Sequence, residues 1–282
     1  MKIINKPSEM QTIAECLRSK GKTIGLVPTM GYFHEGHISL MRRCRQENDV
    51  VIVSLFVNPT QFGANEDLEC YPRDFERDQK MAEQAGVDII FNPSVDEMYP
   101  PGYHTFVEVD ELGKKLCGRT RPIHFRGVTT VCLKLFNLCQ PHRAYFGLKD
   151  AQQLLIVEKM VKDLNLKLEI VRVPTMREED GLAMSSRNTY LKPKEREAAA
   201  LLWKSLSNAK EMLNTGVRKS DKIKTEIEKV LTSSPLAKID YIAAVNTETF
   251  DEIPEIADGD LVAIAVHIGS TRLIDNFIVG RG

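Results

Sequence analysis

Two histidines, His34 and His37, stand beside Gly31 and Gly36 in the segment Pro28-Thr29-Met30-Gly31-Tyr32-Phe33-His34-Glu35-Gly36-His37. Residues 22–27 before it have strand character, and residues 36–48 after it carry apolar Ile38, Met41 and Cys44 at helical spacing. A helix start points orphan backbone N–H groups at an anion, and glycine lets the backbone approach it. Imidazoles at i and i+3 share one helix face, so both rings can meet one bound phosphate. Two better-known motifs do not fit. A Walker A loop is nearly copied from Gly31, but His37 and Ile38 stand where Lys and Ser/Thr are required. A zinc-protease helix needs histidines four apart with glutamate beside the first as general base, which this spacing does not give.

A second constellation, Gly147-Leu148-Lys149-Asp150-Ala151-Gln152-Gln153, follows the short apolar run 144–146 and leads into a helical pattern. Lys149 offers a compact positive charge to a phosphate, Asp150 can cap the helix or help hold a metal, and Gln153 lies one turn along. A third, Met184-Ser185-Ser186-Arg187, lies after Gly181 in the polar connector MREEDGLAMSSRN that begins at Met176. Hydroxyls and an arginine on a flexible loop suit a clamp that closes on a triphosphate, although a plain domain linker reads the same way.

The elements that must position these residues alternate in β-α order through residues 1–175. Strands are expected at 22–27, 50–57, 87–91, 144–146 and 167–173, with helices at 36–48, 73–85, 127–139 and 150–163. The run VVIVSLFV is apolar at nearly every position, as a parallel strand covered on both faces must be. This predicts an α/β fold, a Rossmann-like doubly wound parallel sheet with ligands at the strand carboxyl ends. Residues 176–282 predict a second, smaller α+β domain with helices at 195–213 and 220–231 and strands at 239–245, 261–268 and 273–279. Connectors 58–72 and 92–102 are long; the first leaves a strand carboxyl end with Asn58, Pro59, Gln61 and Gly63 and reads as a lid or as a connector.

The 38 basic and 39 acidic residues leave a net charge of −1, which supplies no global field for nucleic acid. The 6 cysteines contain no C-x-x-C pair and read as reduced and structural. No apolar run approaches the length of a bilayer span and the N-terminus has no leader pattern, so no membrane partner is expected and the expected compartment is the cytoplasm.

Taken together and in order, VPTMGYFHEGH, FVNPTQF, HFRGVTTV, YFGLKDAQQ and DGLAMSSRN resemble the pantothenate synthetase family over essentially the whole chain. H-x-G-H alone would indicate only the wider nucleotidyltransferase and class I aminoacyl-tRNA synthetase superfamily, in which MSSR takes the place of the mobile K-M-S-K-S loop. The resemblance implies an enzyme that condenses pantoate with β-alanine at the expense of ATP and Mg²⁺, through a pantoyl adenylate. It assigns ATP to Met30, Gly31, Tyr32, Phe33, His34, Glu35, Gly36 and His37, to Gly147, Leu148, Lys149 and Asp150, and to Met176, Met184, Ser185, Ser186 and Arg187. His37, with His34, Lys149 and Arg187, carries the catalysis, His37 as proton donor. Gln61 and Gln153 take pantoate, and Gln61 also lies near β-alanine. Neutral amides suit that acid because they bind hydroxyls or a carboxylate without burying a charge. The 74–78 segment departs from the family pattern, so the metal ligands are unknown. The resemblance also implies a homodimer and gives the 176–282 domain the part of a lid.

The nearest rival is a nucleotidylyltransferase acting on a phosphorylated precursor, which would call for another basic residue where this chain has Gln61 and Gln153. A catalytically silent nucleotide-binding regulator would keep the glycines without needing both histidines, Lys149 and Arg187.

Overall fold

Residues 1–64 and 66–280 are described by the structure, a computed structural model. Its largest element is a six-stranded parallel sheet in the order β1-β4-β3-β2-β5-β6, formed by β1 (Lys2–Ile4), β2 (Ile24–Thr29), β3 (Val50–Leu55), β4 (Ile89–Phe91), β5 (Arg143–Gly147) and β6 (Glu169–Val173). Helices α1 (Pro7–Ser19), α2 (Glu35–Glu47), α3 (Phe75–Gln84), α7 (His124–Cys139) and α8 (Ala151–Asp163) connect the strands. Short turns α4 (Val95–Met98), α5 (Asp110–Gly113) and α6 (Cys117–Thr120) punctuate the 92–123 stretch. Val51, Ile52 and Val53 are wholly buried, as a strand covered on both faces requires.

The expected strands and helices are present with ends shifted by a few residues; β1 and α1, like the short turns α4, α5 and α6, were not anticipated. β1 has only three residues. Its sole neighbour is β4, at the sheet edge. The signal for α1 was legible, with Pro7 at the first turn and Met10, Ile13, Ala14 and Leu17 at helical spacing.

Sheet order reverses between β2 and β5. β2 pairs with β3 over six positions, Ile24 to Thr29, but with β5 only at Gly25 and Leu26. Pro28 can sit in this central strand because the β5 side has stopped pairing by then. The carboxyl ends of β2 and β5 therefore part at the switch point, where an open parallel sheet forms its ligand crevice.

Clustering of contacts divides the chain into two units, one of Met1–Lys114, Gly118–Gly147 and Gln152–Val173, the other of Lys115–Cys117, Leu148–Ala151 and Pro174–Gly282. The second unit is thus assembled from three stretches of chain, the longest beginning at Pro174, and Lys149 and Asp150 belong to it. Its antiparallel sheet is β7 (Ala237–Val245), β8 (Leu261–Ile268) and β9 (Thr271–Ile278). α9 (Pro193–Asn214) and α10 (Ser220–Leu231) bury Leu202, Leu206, Ile223 and Ile227 with Val262 and Ile264. Within this unit Arg272 pairs with Asp240 at 2.7 Å, and the Tyr241 hydroxyl lies 3.2 Å from the Cys117 sulfur.

Cys44, Cys132 and Cys139 are buried, and burial pushes the first two thiols up to about 12 and raises the third as well. They are core residues, as their apolar contexts implied.

Candidate active site

The turn after β2 is built by hydrogen bonds from both sides. The Thr29 hydroxyl donates to the Ser54 carbonyl at 2.6 Å and accepts from the Gly31 N–H at 3.3 Å. Gly31 (φ +87°) and Tyr32 (φ +52°) are then both left-handed. A Cβ on Gly31 would lie 3.0 Å from an Asp78 carboxylate oxygen, so glycine is needed there for space as well as for φ. Tyr32 pays a steric penalty of about 1–2 kcal/mol for its conformation.

Asp78 offsets that cost. Its two carboxylate oxygens accept the N–H groups of Tyr32 and Phe33, each at 2.6 Å. The preceding Arg77 donates to the Phe33 carbonyl at 2.8 Å and lies 4.9 Å from the centre of the Tyr32 ring. Only 1% of Asp78 is exposed. Burial pushes its carboxyl above the ordinary value and the two N–H bonds pull it back. Asp78 was not singled out from the sequence. The signal was an acid one turn after Phe75 and one turn before Ala82, on the buried face of α3.

His34 is the N-cap of α2, extended at φ −135°, ψ 174°. Its Nδ1 accepts the Gly36 N–H at 3.1 Å, while the Nδ1 of His37 accepts the His34 N–H at 3.3 Å. Each Nδ1 thereby presents its lone pair to the backbone, so each neutral ring carries its proton on Nε2. The ring centres are 4.1 Å apart, which brings the two side chains to one place at a helix N-terminus. Phe33 is wholly buried, so its side chain belongs to the core rather than to a nucleotide surface. Glu35 pairs with Arg42 on the outside of the helix.

Gln61 reaches the same turn. It closes the short 3-10 helix Pro59–Gln61, and its Nε2 lies 3.2 Å from the Met30 sulfur. The segment 58–63 is anchored: the Gln61 carbonyl takes the Arg121 guanidinium at 3.3 Å and lies 2.9 Å from His124 Nδ1. A Cβ on Gly127 would come within 2.4 Å of the Thr60 carbonyl, so α7 approaches this turn as closely as backbones allow. Arg121, His124 and Gly127 come from the stretch around HFRGVTTV, which the sequence marked but gave no role. Gln153 stands in the first turn of α8, half-buried, six residues after Gly147. Gly147 has ordinary φ, and a Cβ there would meet nothing within 4 Å. Neither its backbone conformation nor the space around it therefore requires glycine.

The second unit holds Leu148, Lys149, Asp150, Met176, Met184, Ser185, Ser186 and Arg187. Leu148–Asp150 is a 3-10 turn tied to β9: the Asn276 amide donates to the carbonyls of Leu148 at 3.1 Å and Lys149 at 2.7 Å. Lys149 Nζ lies 3.5 Å from Asp150 Oδ2. The MSSR stretch follows a hydrogen-bonded hairpin. Residues 176–184 form a hairpin, with Arg177 bridged to Ala183 and the Met184 N–H donating to the Met176 carbonyl at 3.0 Å. Gly181 (φ +88°) seats the hairpin on Trp203, where any Cβ would come within 1.8 Å of the ring. Arg177 stacks 3.7 Å from that ring and binds both oxygens of Asp275. Beyond the hairpin, Ser185 Oγ accepts the Arg187 N–H at 3.3 Å, and Asn188 Nδ2 donates to Glu178 at 2.7 Å.

A parallel sheet with a histidine-capped helix N-terminus at its switch point is the fold and site of a Rossmann-like nucleotide-binding protein. The chain belongs to the pantoate–β-alanine ligase family, whose model matches residues 2–278. It is 56% identical over 280 residues to a pantothenate synthetase of Thermotoga petrophila, covering 99% of this chain and 100% of that protein. It is 55% identical to that of Acetivibrio thermocellus, covering 99% of each. A solved pantothenate synthetase of Thermus thermophilus superposes with a TM-score of 0.93 at 44% identity, covering 99% of both chains. A pantoate–β-alanine ligase of Francisella tularensis, solved in complex with β,γ-ATP and β-alanine, superposes at 0.81 with 35% identity, covering 100% of this chain and 99% of that one.

Proposed function

We infer that this chain joins pantoate to β-alanine, converting ATP to AMP and pyrophosphate by way of a pantoyl adenylate. The observation that carries the reading is the reciprocal His34–His37 cap at the start of α2, in a chain that matches the ligase family from residue 2 to residue 278.

In the first step a pantoate carboxylate oxygen attacks the α-phosphorus of ATP, and pyrophosphate leaves with the electrons of the broken P–O bond. Charge accumulates on phosphate oxygens. The α2 N-terminus and the Nε2–H groups of His34 and His37 would serve as donors to such charge, their rings set beforehand by the backbone bonds at Nδ1. Family resemblance adds Lys149, Ser185, Ser186 and Arg187 of the second unit, with the backbone at Met176, as contacts to the nucleotide. Gln61 and Gln153 hold pantoate through neutral amides. In the second step the uncharged amine of β-alanine attacks the acyl carbon, AMP leaves, and the new ammonium loses a proton to become the amide. The anhydride must be kept from water throughout.

Mg²⁺ is assigned as part of the substrate, bound to the ATP phosphates and neutralising them. Among the described residues no three His, Cys, Asp or Glu side chains gather to hold an ion. The Asp78 carboxylate is committed to two backbone N–H groups. A homodimer and a cytoplasmic location are proposed on the same family grounds, and light scattering after size exclusion tests the first. No helix among the described residues is long and apolar enough to cross a membrane.

Exchange of labelled pyrophosphate into ATP tests the reaction. It should require pantoate and not β-alanine. Exchange without pantoate, or only with a phosphorylated acceptor, would overturn the reading.

A further inference from the structure

Gln61 is oriented by a buried chain of hydrogen bonds that starts outside every motif in the sequence. Asn58, 1% exposed, is its centre. The Thr60 N–H, which can only donate, points at Asn58 Oδ1 at 3.3 Å, and the Gly127 carbonyl, which can only accept, takes Asn58 Nδ2 at 3.1 Å. The amide is therefore fixed with its oxygen toward Thr60 and its nitrogen toward Gly127. That nitrogen also donates to Gln61 Oε1 at 2.9 Å. The Gln61 side-chain Oε1 is thereby engaged, and its NH₂ group is turned toward Met30.

The remaining donors to Asn58 Oδ1 are the hydroxyls of Thr60 and Tyr99, each at 2.9 Å. Thr60 belongs to the same turn and moves with it. Tyr99 comes from the far side of β4, just after α4, and alone among these donors ties the turn to another part of the unit. We propose that Tyr99 is a positioning residue for pantoate, its hydroxyl holding Asn58 so that Gln61 presents N–H donors to oxygen acceptors of the acid.

This rests on the placing of pantoate at Gln61. Burial pushes the Tyr99 phenol up to about 12, so it remains a donor across the neutral range. Its ring is held independently of the hydroxyl, with Tyr103 edge-on at 5.1 Å and Phe56 at 6.1 Å. An amide locked as a donor also carries specificity. It favours an acid with oxygen acceptors at that point over an analogue bearing an amine there, which would set donor against donor.

The test is a double-mutant cycle on the intact enzyme. Tyr99→Phe removes one oxygen and leaves the ring, so the pantoate KM should rise roughly three- to ten-fold, the yield of one neutral hydrogen bond. The ATP KM and the thermal midpoint should stay near wild type. In a Gln61→Ala background the same Tyr99→Phe change should add nothing further to the pantoate KM, because the group it positions is gone. A penalty of equal size in both backgrounds, or one shared by the ATP KM, would assign Tyr99 to general packing and overturn the proposal. So would a silent Tyr99→Phe beside an impaired Gln61→Ala. If Gln61→Ala alone left pantoate use intact, the pantoate placement itself would fall and the proposal with it.

Discussion

His34 and His37 hold each other's geometry through the backbone: the N–H of His34 donates to the Nδ1 of His37, while the Nδ1 of His34 takes the N–H of Gly36. Two side chains proposed to bind phosphate thus double as the cap of α2. Stability and catalysis can be separated here by choice of substitution. His34→Ala should cost about 1 kcal/mol from the lost cap, and on the order of 10²–10³ in pyrophosphate exchange from the lost donor. His34→Asn should restore the thermal midpoint, since Asn is a good cap, without restoring the rate. His37→Ala should lose rate in the same range, and the double alanine variant should lose less than the product of the two. Near-normal exchange in a folded His37→Ala protein would remove the pair from the chemistry.

Asp78 ties stability to pH. A carboxyl held above its ordinary value of 3.8 binds its proton more tightly folded than unfolded. Its contribution is therefore full below that value and is lost as pH rises through the folded value. The stability advantage of wild type over Asp78→Asn should shrink from about pH 4 upward, read from unfolding midpoints in a pH series. An advantage that grew with pH would mean that the two N–H bonds outweigh burial.

Arg187 lies within a turn braced by Ser185 and Asn188, so its guanidinium starts from a hydrogen-bonded backbone. A preorganised donor acts mainly on developing charge. Arg187→Ala should slow single-turnover adenylate formation by on the order of 10² while ATP affinity, measured by titration, falls far less. Equal losses in both would make Arg187 a ground-state binder.

Gly181→Ala should destabilise the protein by roughly 2–4 kcal/mol, combining a left-handed alanine with overpacking. The added methyl would meet Trp203. Urea unfolding measures the loss, and Gly181→Ala combined with Trp203→Ala should cost less than the two changes summed. Full additivity would show that the ring is not what the methyl strikes.

The strands and helices that frame the site were legible because their chemistry is local. VVIVSLFV reads as a covered strand, which β3 is over Val50–Leu55, and Gly-flanked histidines at a strand-to-helix change suit a phosphate turn. What escaped was set by partners distant in sequence. Asp78 acquires its meaning only where α3 meets the 31–33 turn, and Tyr99 only where it meets Asn58. The polar composition of the connector before MSSR likewise hides the fit of Gly181 on Trp203. Gly147 shows the reverse: its type was noticed, but neither its φ nor the space around it requires glycine.

The interleaved course of the chain bears on how the protein can be dissected. Lys115–Cys117 and Leu148–Ala151 are excursions into the second unit, and their partners, Tyr241, Arg272 and Asn276, are supplied more than a hundred residues later. A recombinant fragment cut at Val173 would expose the Cys117 thiol and leave the Leu148 and Lys149 carbonyls without the Asn276 amide. The complementary fragment would present that amide, and the Arg272 guanidinium, without the short segments they hold. Any cut between Ala151 and Tyr241, one after Gly216 included, separates the same groups, so separately expressed halves should regain these contacts only when both pieces are present together.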